Sequence, residues 1–275
     1  MSQGTIAFIG GGNMADSLIG GLIAGGHPAE QIWVSDPFID QLDSLRHKHG
    51  IHVTQENTEA AAHADVIVMA VKPQILKKAA AQIRDQVQSD QPLVLSIAAG
   101  LREPDINRWL GGGIPVVRAM PNTPALRQAG ATVLYANESV SKAQKSQAEE
   151  IMSAVGLTLW VDEESHMDAV TATSGSGPAY FFLVMEAMQA AAEKLGLPPE
   201  LAEQLVQQTA LGAARMAREG NDDAATLREN VTSPGGTTAA ALEVLNQAGL
   251  SETFEKALTA ARDRSRSLSD EFGKD

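Results

Sequence analysis

The sequence predicts an α/β protein, with a doubly wound parallel sheet in its amino-terminal half and an all-helical carboxy-terminal half. Three observations carry this expectation. Over roughly the first 160 residues, short β-branched runs alternate with helical patterns rich in Ala, Leu, Gln and Lys, the order that builds a parallel sheet with helices on both faces. From Glu163 onward no strand pattern returns and helix follows helix. Finally, 275 residues is long for one core, so two domains are expected, at 1–162 and 163–275.

The first strand is read at 5–9, and it breaks into Gly10-Gly11-Gly12-Asn13-Met14-Ala15, a Gly-x-Gly-x-x-Ala turn. The turn opens an amphipathic stretch carrying Met14, Leu18, Leu22 and Ile23. In a dinucleotide-binding turn Gly10 permits the tight bend, Gly12 lets a pyrophosphate approach the backbone, and small Ala15 lets the helix pack close to the strand. The free N–H groups of that helix then face the phosphates. A Gly-rich turn also serves simply as a turn, but its place between a strand and a helix favours the nucleotide and a Rossmann-type sheet.

Further strands are read at 31–35, 66–71, 93–97 and 115–118, with another pair near 131–135 and 157–161. In the second half, Pro178–Leu195 begins with Pro in its first turn and is apolar round most of its circumference. Pro199–Arg218 is rich in Ala and Leu, and two more helices are read at 238–248 and 251–270. A helix apolar on nearly every side, as Ala179-Tyr180-Phe181-Phe182-Leu183-Val184-Met185 is, must be buried on nearly every side. In a domain of roughly 110 residues a second subunit makes that burial easier, so a homo-oligomer built through this half is expected.

The composition excludes several classes of function. There is no cysteine, so disulfides, thiolate nucleophiles and Cys-ligated zinc are ruled out. A net charge of −13 argues against a nucleic-acid partner, but not against a small anion held at helix N-termini. With no leader-like pattern before the first strand and no apolar run of membrane-span length, no membrane partner and a cytoplasmic location are the expectations.

Several loops lie where a cofactor and its substrate would meet. Ala70-Val71-Lys72-Pro73 and Ser96-Ile97-Ala98-Ala99-Gly100 put small residues and a helix-excluding Pro at strand ends, leaving room for a flat ligand. Either also reads as an ordinary turn. In Arg118-Ala119-Met120-Pro121-Asn122-Thr123-Pro124-Ala125 two prolines bracket Asn122 and Thr123 in a stiff loop, suited to positioning a ligand or to a structural turn. Thr173-Ser174-Gly175-Ser176-Gly177-Pro178 and Asn230-Val231-Thr232-Ser233-Pro234-Gly235-Gly236-Thr237-Thr238 both open helices. The simplest role of such residues is capping. Two glycines ahead of two threonines go further and offer a carboxylate-binding nest with a hydroxyl beside it.

Gly-Gly-Gly-Asn-Met-Ala, Ala-Val-Lys-Pro, Ala-Met-Pro-Asn-Thr-Pro-Ala, Ser-Gly-Ser-Gly-Pro-Ala-Tyr and Ser-Pro-Gly-Gly-Thr-Thr occur in this order along essentially the whole chain. In this the chain resembles pyrroline-5-carboxylate reductase. The resemblance implies a Rossmann domain followed by a helical dimerisation domain, dimers assembled into larger rings, and reduction of L-1-pyrroline-5-carboxylate to L-proline by NADPH or NADH. It places the dinucleotide on Ile9, Gly10, Gly11, Gly12, Asn13 and Met14, on Asp36 and Asn57 near the adenosine ribose, and on Ala70, Val71, Lys72, Pro73, Ile97, Ala98 and Ala99 near the nicotinamide half. It places substrate contacts on Glu164, Asn230, Ser233, Thr237 and Thr238, with the Thr238 hydroxyl next to the ring nitrogen.

The resemblance also implies a preference for NADPH, with small polar or basic residues at the end of the second strand, and here the chain departs from the pattern. Val34-Ser35-Asp36-Pro37 carries an Asp, which ordinarily accepts from the ribose 2′-hydroxyl of NAD and repels a 2′-phosphate. Reduced NADPH preference and appreciable NADH use are expected, unless Asp36 turns outward to cap the following helix while Asn57 donates to the phosphate.

Reducing a carbonyl makes an alkoxide that needs a proton donor, usually Lys or His, whereas a protonated cyclic imine accepts hydride directly. The helix after Ser-Gly-Ser-Gly-Pro has no Lys before Lys194, which counts against hydroxyacid dehydrogenases of the same architecture. Of six histidines, three fall in His47-Lys48-His49-Gly50-Ile51-His52, read as an exposed helix end, and His166 is read as surface decoration. No metal is expected there, because residues two apart on a helix point in different directions. Two rival functions stay open: an NAD(P)-sensing protein without catalysis, and a hydroxyacid or imine reductase of another substrate.

Overall fold

The computed structural model describes residues 4–274. Its order is β1 (Ile6–Ile9), α1 (Asn13–Ala24), β2 (Ile32–Ser35), α2 (Ile39–His49), β3 (His52–Thr54), α3 (Asn57–Ala61), β4 (Val66–Met69), α4 (Pro73–Asp90), β5 (Leu93–Ser96), α5 (Glu103–Trp109), β6 (Val116–Met120), β7 (Gly130–Ala136), α6 (Lys142–Ser153) and β8 (Gly156–Trp160). The helices α7 (Met167–Val170), α8 (Gly177–Lys194), α9 (Pro199–Glu219), α10 (Ala224–Asn230), α11 (Thr237–Gln247) and α12 (Leu250–Phe272) follow. The chain divides into two compact units, Met1–Ser176 with Ala260–Asp275, and Gly177–Thr259.

In the first unit eight strands form one sheet in the order β3-β2-β1-β4-β5-β6-β7-β8. The first six are parallel, as helical crossovers require. In β1, β4 and β5 every residue is buried. Alternation splits them between two cores: Phe8, Val68 and Leu95 pack with Leu18 and Leu22 of α1 on one face, and Ile9, Met69 and Val94 pack with Leu76 and Ile83 of α4 on the other. Each fully buried Phe, Ile or Leu contributes about 1.5–3 kcal/mol.

Several elements differ from the expectation. The run read as 66–71 stops at Met69, and Ala70 turns away after donating its N–H to Ile9 O at 2.8 Å. Strand β7 pairs antiparallel with β6, because the short link 121–129 cannot make a crossover, and β8 then pairs parallel with β7. Strand β3 begins at His52, the last residue of the segment read as an exposed helix end. There Gly50 takes a left-handed turn at φ 71° and ends α2, Ile51 is buried, and the ring of His52 stacks on Trp33 at 4.6 Å. Nor is His49 exposed: its side chain is 8% exposed and its Nε2 lies 2.6 Å from Asp16 Oδ1.

Within the second unit α8 and α9 pack together, and Ala202 and Val206 are buried. Helix α10, absent from the expectation, is capped by Asp223, whose Oδ1 accepts from Thr226 N at 2.8 Å. Helix α12 begins among the residues of the second unit and ends in the first, where Phe272 packs against the core that holds Met69. The division by compactness therefore falls at Ser176/Gly177 and returns the last turns of α12 to the first unit, whereas the sequence placed the boundary at 162/163. No helix among the described residues is long and apolar enough to cross a membrane.

Candidate active site

Parallel register brings the sequence-predicted cofactor residues into one row. Ile9 pairs with Ser35 and Met69, Met69 with Ser96, and Ser96 with Arg118. Gly10, Asp36, Ala70 and Ile97 therefore leave the sheet side by side at its carboxyl end, where such sheets bind ligands. Gly10 has φ 104°, and a Cβ on it would lie 2.8 Å from Ala70 O, so neither the conformation nor the space admits a side chain. A Cβ on Gly12 would meet nothing within 4 Å. Gly12 is the N-cap of α1 and provides no capping side chain, leaving the first-turn N–H groups for an anion. Open space over an uncapped helix terminus is what a pyrophosphate needs.

Asp36 braces this turn. Its Oδ2 accepts from Gly11 N at 2.9 Å and its Oδ1 from Phe38 N at 3.0 Å, while Gln41 Nε2 donates to Gly11 O at 2.6 Å. Asp36 thus ties the start of the next segment to the glycine turn, with its carboxylate at the end of β2. Asn57 opens α3, where its Oδ1 accepts from Ser35 Oγ at 2.7 Å and its Nδ2 donates to Gln82 Oε1 at 2.7 Å. Lys72 is the N-cap before Pro73, the first residue of α4. Ile97 N donates to Met69 O at 3.2 Å, holding the Ile97–Ala99 loop against the end of β4.

Asn122 proves structural. Its Nδ2 donates to Ser174 O at 3.0 Å and its Oδ1 accepts from Ala131 N at 2.9 Å, tying the Pro-Asn-Thr-Pro loop to the π-helical turn Thr171–Gly175. A Cβ on Gly175 would run into Met120 Cε. The Ser-Gly-Ser-Gly segment is therefore tightly packed at Gly175.

Glu164 starts a 3-10 turn, Glu164–His166, and belongs to a polar cluster that the sequence did not reveal. Its Oε1 accepts from Arg118 Nη1 at 2.5 Å and from Glu103 N at 2.6 Å. Arg118 stands on β6 with its side chain 9% exposed, against 20% for Glu164. Glu103 in turn accepts from Asn107 Nδ2 at 2.8 Å and Asn137 Nδ2 at 2.6 Å. Tyr135, opposite Arg118 on β7, has its phenol pushed up by burial and then by the charges of Glu164 and Glu103. Leaving one member of such an ion pair buried alone costs about 3–5 kcal/mol. The sequence signal was a lone Arg in the apolar run Val116-Val117-Arg118-Ala119.

In the second unit Asn230 ends α10 and is exposed, as is Ser233. Gly236 N donates to Ser233 O at 3.0 Å across a turn in which Gly235 has φ 71°. The N–H of Gly236 is therefore spent inside the loop, and the donors left for a ligand are those of the first turn of α11, which begins at Thr237. Gly236 caps that helix without a side-chain hydrogen bond. Thr238 is half-buried beside this terminus.

A dinucleotide turn on a parallel sheet, joined to a helical unit with an uncapped helix terminus and hydroxyls, defines a nicotinamide-dependent oxidoreductase. Residues 164–268 match the family model described as pyrroline-5-carboxylate reductase dimerisation, and 5–100 match that described as NADP oxidoreductase, coenzyme F420-dependent. The chain is 52% identical over 273 residues to a pyrroline-5-carboxylate reductase of Pseudomonas aeruginosa, covering 99% of this chain and 100% of the relative. It superposes on a Coxiella burnetii pyrroline-5-carboxylate reductase with a TM-score of 0.94 and 51% identity, covering 98% of this chain and 99% of the other. A Plasmodium falciparum pyrroline carboxylate reductase with NADP bound gives a TM-score of 0.86 and 30% identity, with 98% and 99% coverage. This chain belongs to the pyrroline-5-carboxylate reductase family.

Proposed function

We propose that the protein reduces L-1-pyrroline-5-carboxylate to L-proline with NADPH or NADH, the last step of proline biosynthesis. The observation that carries this best is full-length identity of 52% to a reductase of that name, together with the Ser-Pro-Gly-Gly-Thr-Thr loop at an uncapped helix terminus. A sensor of NAD(P)H has no need of a carboxylate nest, and a hydroxyacid dehydrogenase needs an acid that α8 does not supply before Lys194.

In this reaction the C=N bond of the protonated imine gains a hydride at carbon, and the nitrogen keeps its proton as the product amine. Nicotinamide supplies that hydride when bound. Ile9 to Met14 and the first turn of α1 hold the pyrophosphate, Asp36 and Asn57 the adenosine ribose, and Ala70–Pro73 with Ile97–Ala99 the nicotinamide half. Glu164, Asn230, Ser233, Thr237 and Thr238 contact the substrate. The first turn of α11 binds its carboxylate, and the Thr238 hydroxyl orients the ring nitrogen. Because the iminium needs no strong acid, orientation supplies most of the rate enhancement. Dimers assemble into a larger ring, and the enzyme works in the cytoplasm, where reduced nicotinamide cofactors are maintained.

Purified protein given pyrroline-5-carboxylate is expected to oxidise NADPH or NADH and release proline; no proline above the enzyme-free control, with either cofactor, overturns the proposal. Thr238→Ala should lower kcat by at least about threefold to tenfold, the value of one hydrogen bond, with cofactor affinity unchanged. Unaltered turnover in that variant would remove Thr238 from the site.

A further inference from the structure

We infer that Arg118 is a positioning residue for the reaction: its guanidinium clamps one oxygen of Glu164 so that the other is presented, charged and fixed, to the ring N–H of the protonated imine. This rests on Glu164 contacting the substrate, as proposed above. Glu164 Oε1 takes both short hydrogen bonds, from Arg118 Nη1 at 2.5 Å and Glu103 N at 2.6 Å, while Oε2 has no hydrogen bond among the described residues. The carboxylate keeps an acceptor in reserve, and its side chain remains 20% exposed.

The surroundings fix the clamp in place. Arg118 lies in register with Ser96, the residue before the Ile97–Ala99 loop, and is buried in the sheet on an element with no freedom to move. The second donor to Oε1, the backbone of Glu103, is held by its own side chain, which Asn107 and Asn137 anchor from α5 and the end of β7. Asn137 Oδ1 also accepts from Val116 N at 3.2 Å, closing the network on the strand that carries Arg118.

The substrate chemistry selects what Oε2 receives. Protonated pyrroline-5-carboxylate has one carboxylate, which Glu164 repels, and one polar hydrogen, on the ring nitrogen, which the Glu164 carboxylate accepts in a bond shared with the Thr238 hydroxyl oxygen. Holding an anion beside that nitrogen favours the protonated imine, the form that takes hydride. Arg118 itself touches neither substrate nor cofactor and acts through Glu164.

The test compares Arg118→Met, Arg118→Lys, Glu164→Gln and the double variant Arg118→Met/Glu164→Gln, each assayed for kcat, KM for pyrroline-5-carboxylate, NADPH dissociation constant and Tm. Arg118→Met is expected to raise the substrate KM roughly tenfold or more at an NADPH affinity within about twofold of wild type. Arg118→Lys should recover part of that loss, and the double variant should be no worse than Glu164→Gln. Wild-type substrate kinetics in Glu164→Gln would overturn the substrate role of Glu164 and the clamp with it. Impaired Glu164→Gln beside unimpaired Arg118→Met would overturn the clamp alone. Equal losses of NADPH affinity and substrate affinity in Arg118→Met, with a fall in Tm and additivity in the double variant, would reduce Arg118 to a structural ion pair and also overturn it.

Discussion

In the first unit strands β1, β4 and β5 present no residue to solvent, whereas in the second unit helix α8 leaves Phe181 67%, Phe182 62% and Leu183 64% exposed. Val244 and Leu245 of α11 are exposed in the same way, and α9 adds Leu211 and Met216. Both units draw on similarly apolar sequence. The first folds that sequence around its own core, and the second keeps it for a surface that another chain must cover, in agreement with the dimerisation family matched by 164–268. A helix apolar on all sides is thus evidence about assembly rather than about the monomer's interior.

The largest expected effect breaks the second unit's side of this contrast. Phe182→Asp places a charge where the partner is to pack, and in a two-fold dimer it does so twice. With about 1.5–3 kcal/mol per buried aromatic, dimer dissociation should strengthen roughly a thousandfold. Sedimentation should find monomers whose circular dichroism stays native, because Phe182 is exposed in the single chain. An unaltered oligomer would contradict the assignment of this face.

On the first unit's side, Gly10→Val should weaken NADPH binding roughly tenfold or more while leaving the oligomer intact. Its Cβ would press on Ala70 O, and φ 104° strains any L-residue. Fluorescence titration of NADPH reads the effect; undiminished affinity would detach the glycine turn from the cofactor.

A smaller effect concerns which cofactor the first unit prefers. Asp36 keeps its charge at the end of β2 through Gly11 N and Phe38 N, so Asp36→Ser should raise the NADPH to NADH ratio of kcat/KM about fivefold, the scale of one close charge contact. A ratio that does not move means that Asp36 only braces the turn.

The smallest effect is electrostatic. Burial raises the carboxyl of Asp16, but the hydrogen bonds from Lys48 and His49 outweigh it and leave the group below its ordinary value of 3.8. Its contribution to stability is therefore present above pH 3.8 and is lost as pH falls through the lower folded value. Asp16→Asn should cost less than about 1 kcal/mol at pH 7, since Lys48 is largely exposed, and the difference in Tm from wild type should vanish in strong acid.

How far the sequence spoke for itself follows the same division. The glycine turn, seven of the eight strands and the four long helices after Gly177 were legible because each repeats a periodic pattern over many residues or carries a turn with one use. Strand β3 was not, because three residues beginning with an exposed His52 give no period and are held only by pairing with β2. Helix α10 had its signal in Asp223 but only seven residues to show it. In the candidate site, backbone-defined parts such as Gly10, Gly12 and Gly236 could be read, since glycine leaves few alternatives. The Arg118–Glu164–Glu103 cluster could not, because its members are brought together from β6, the turn after β8 and α5, and only tertiary structure makes them neighbours.

The last turns of α12 give the first unit a discontinuous chain. Ser265 Oγ donates to Asp168 Oδ1 at 2.7 Å, Leu268 lies over Gly100, and Phe272 packs against the core that holds Met69. During synthesis, then, the nucleotide unit waits for its final hydrophobic contact until all of Gly177–Thr259 has left the ribosome. The exposed face of α8 emerges during that wait, before the unit that precedes it has closed. The order of translation itself sets a period in which sticky surface and unfinished core coexist, and chaperone demand should be greatest there.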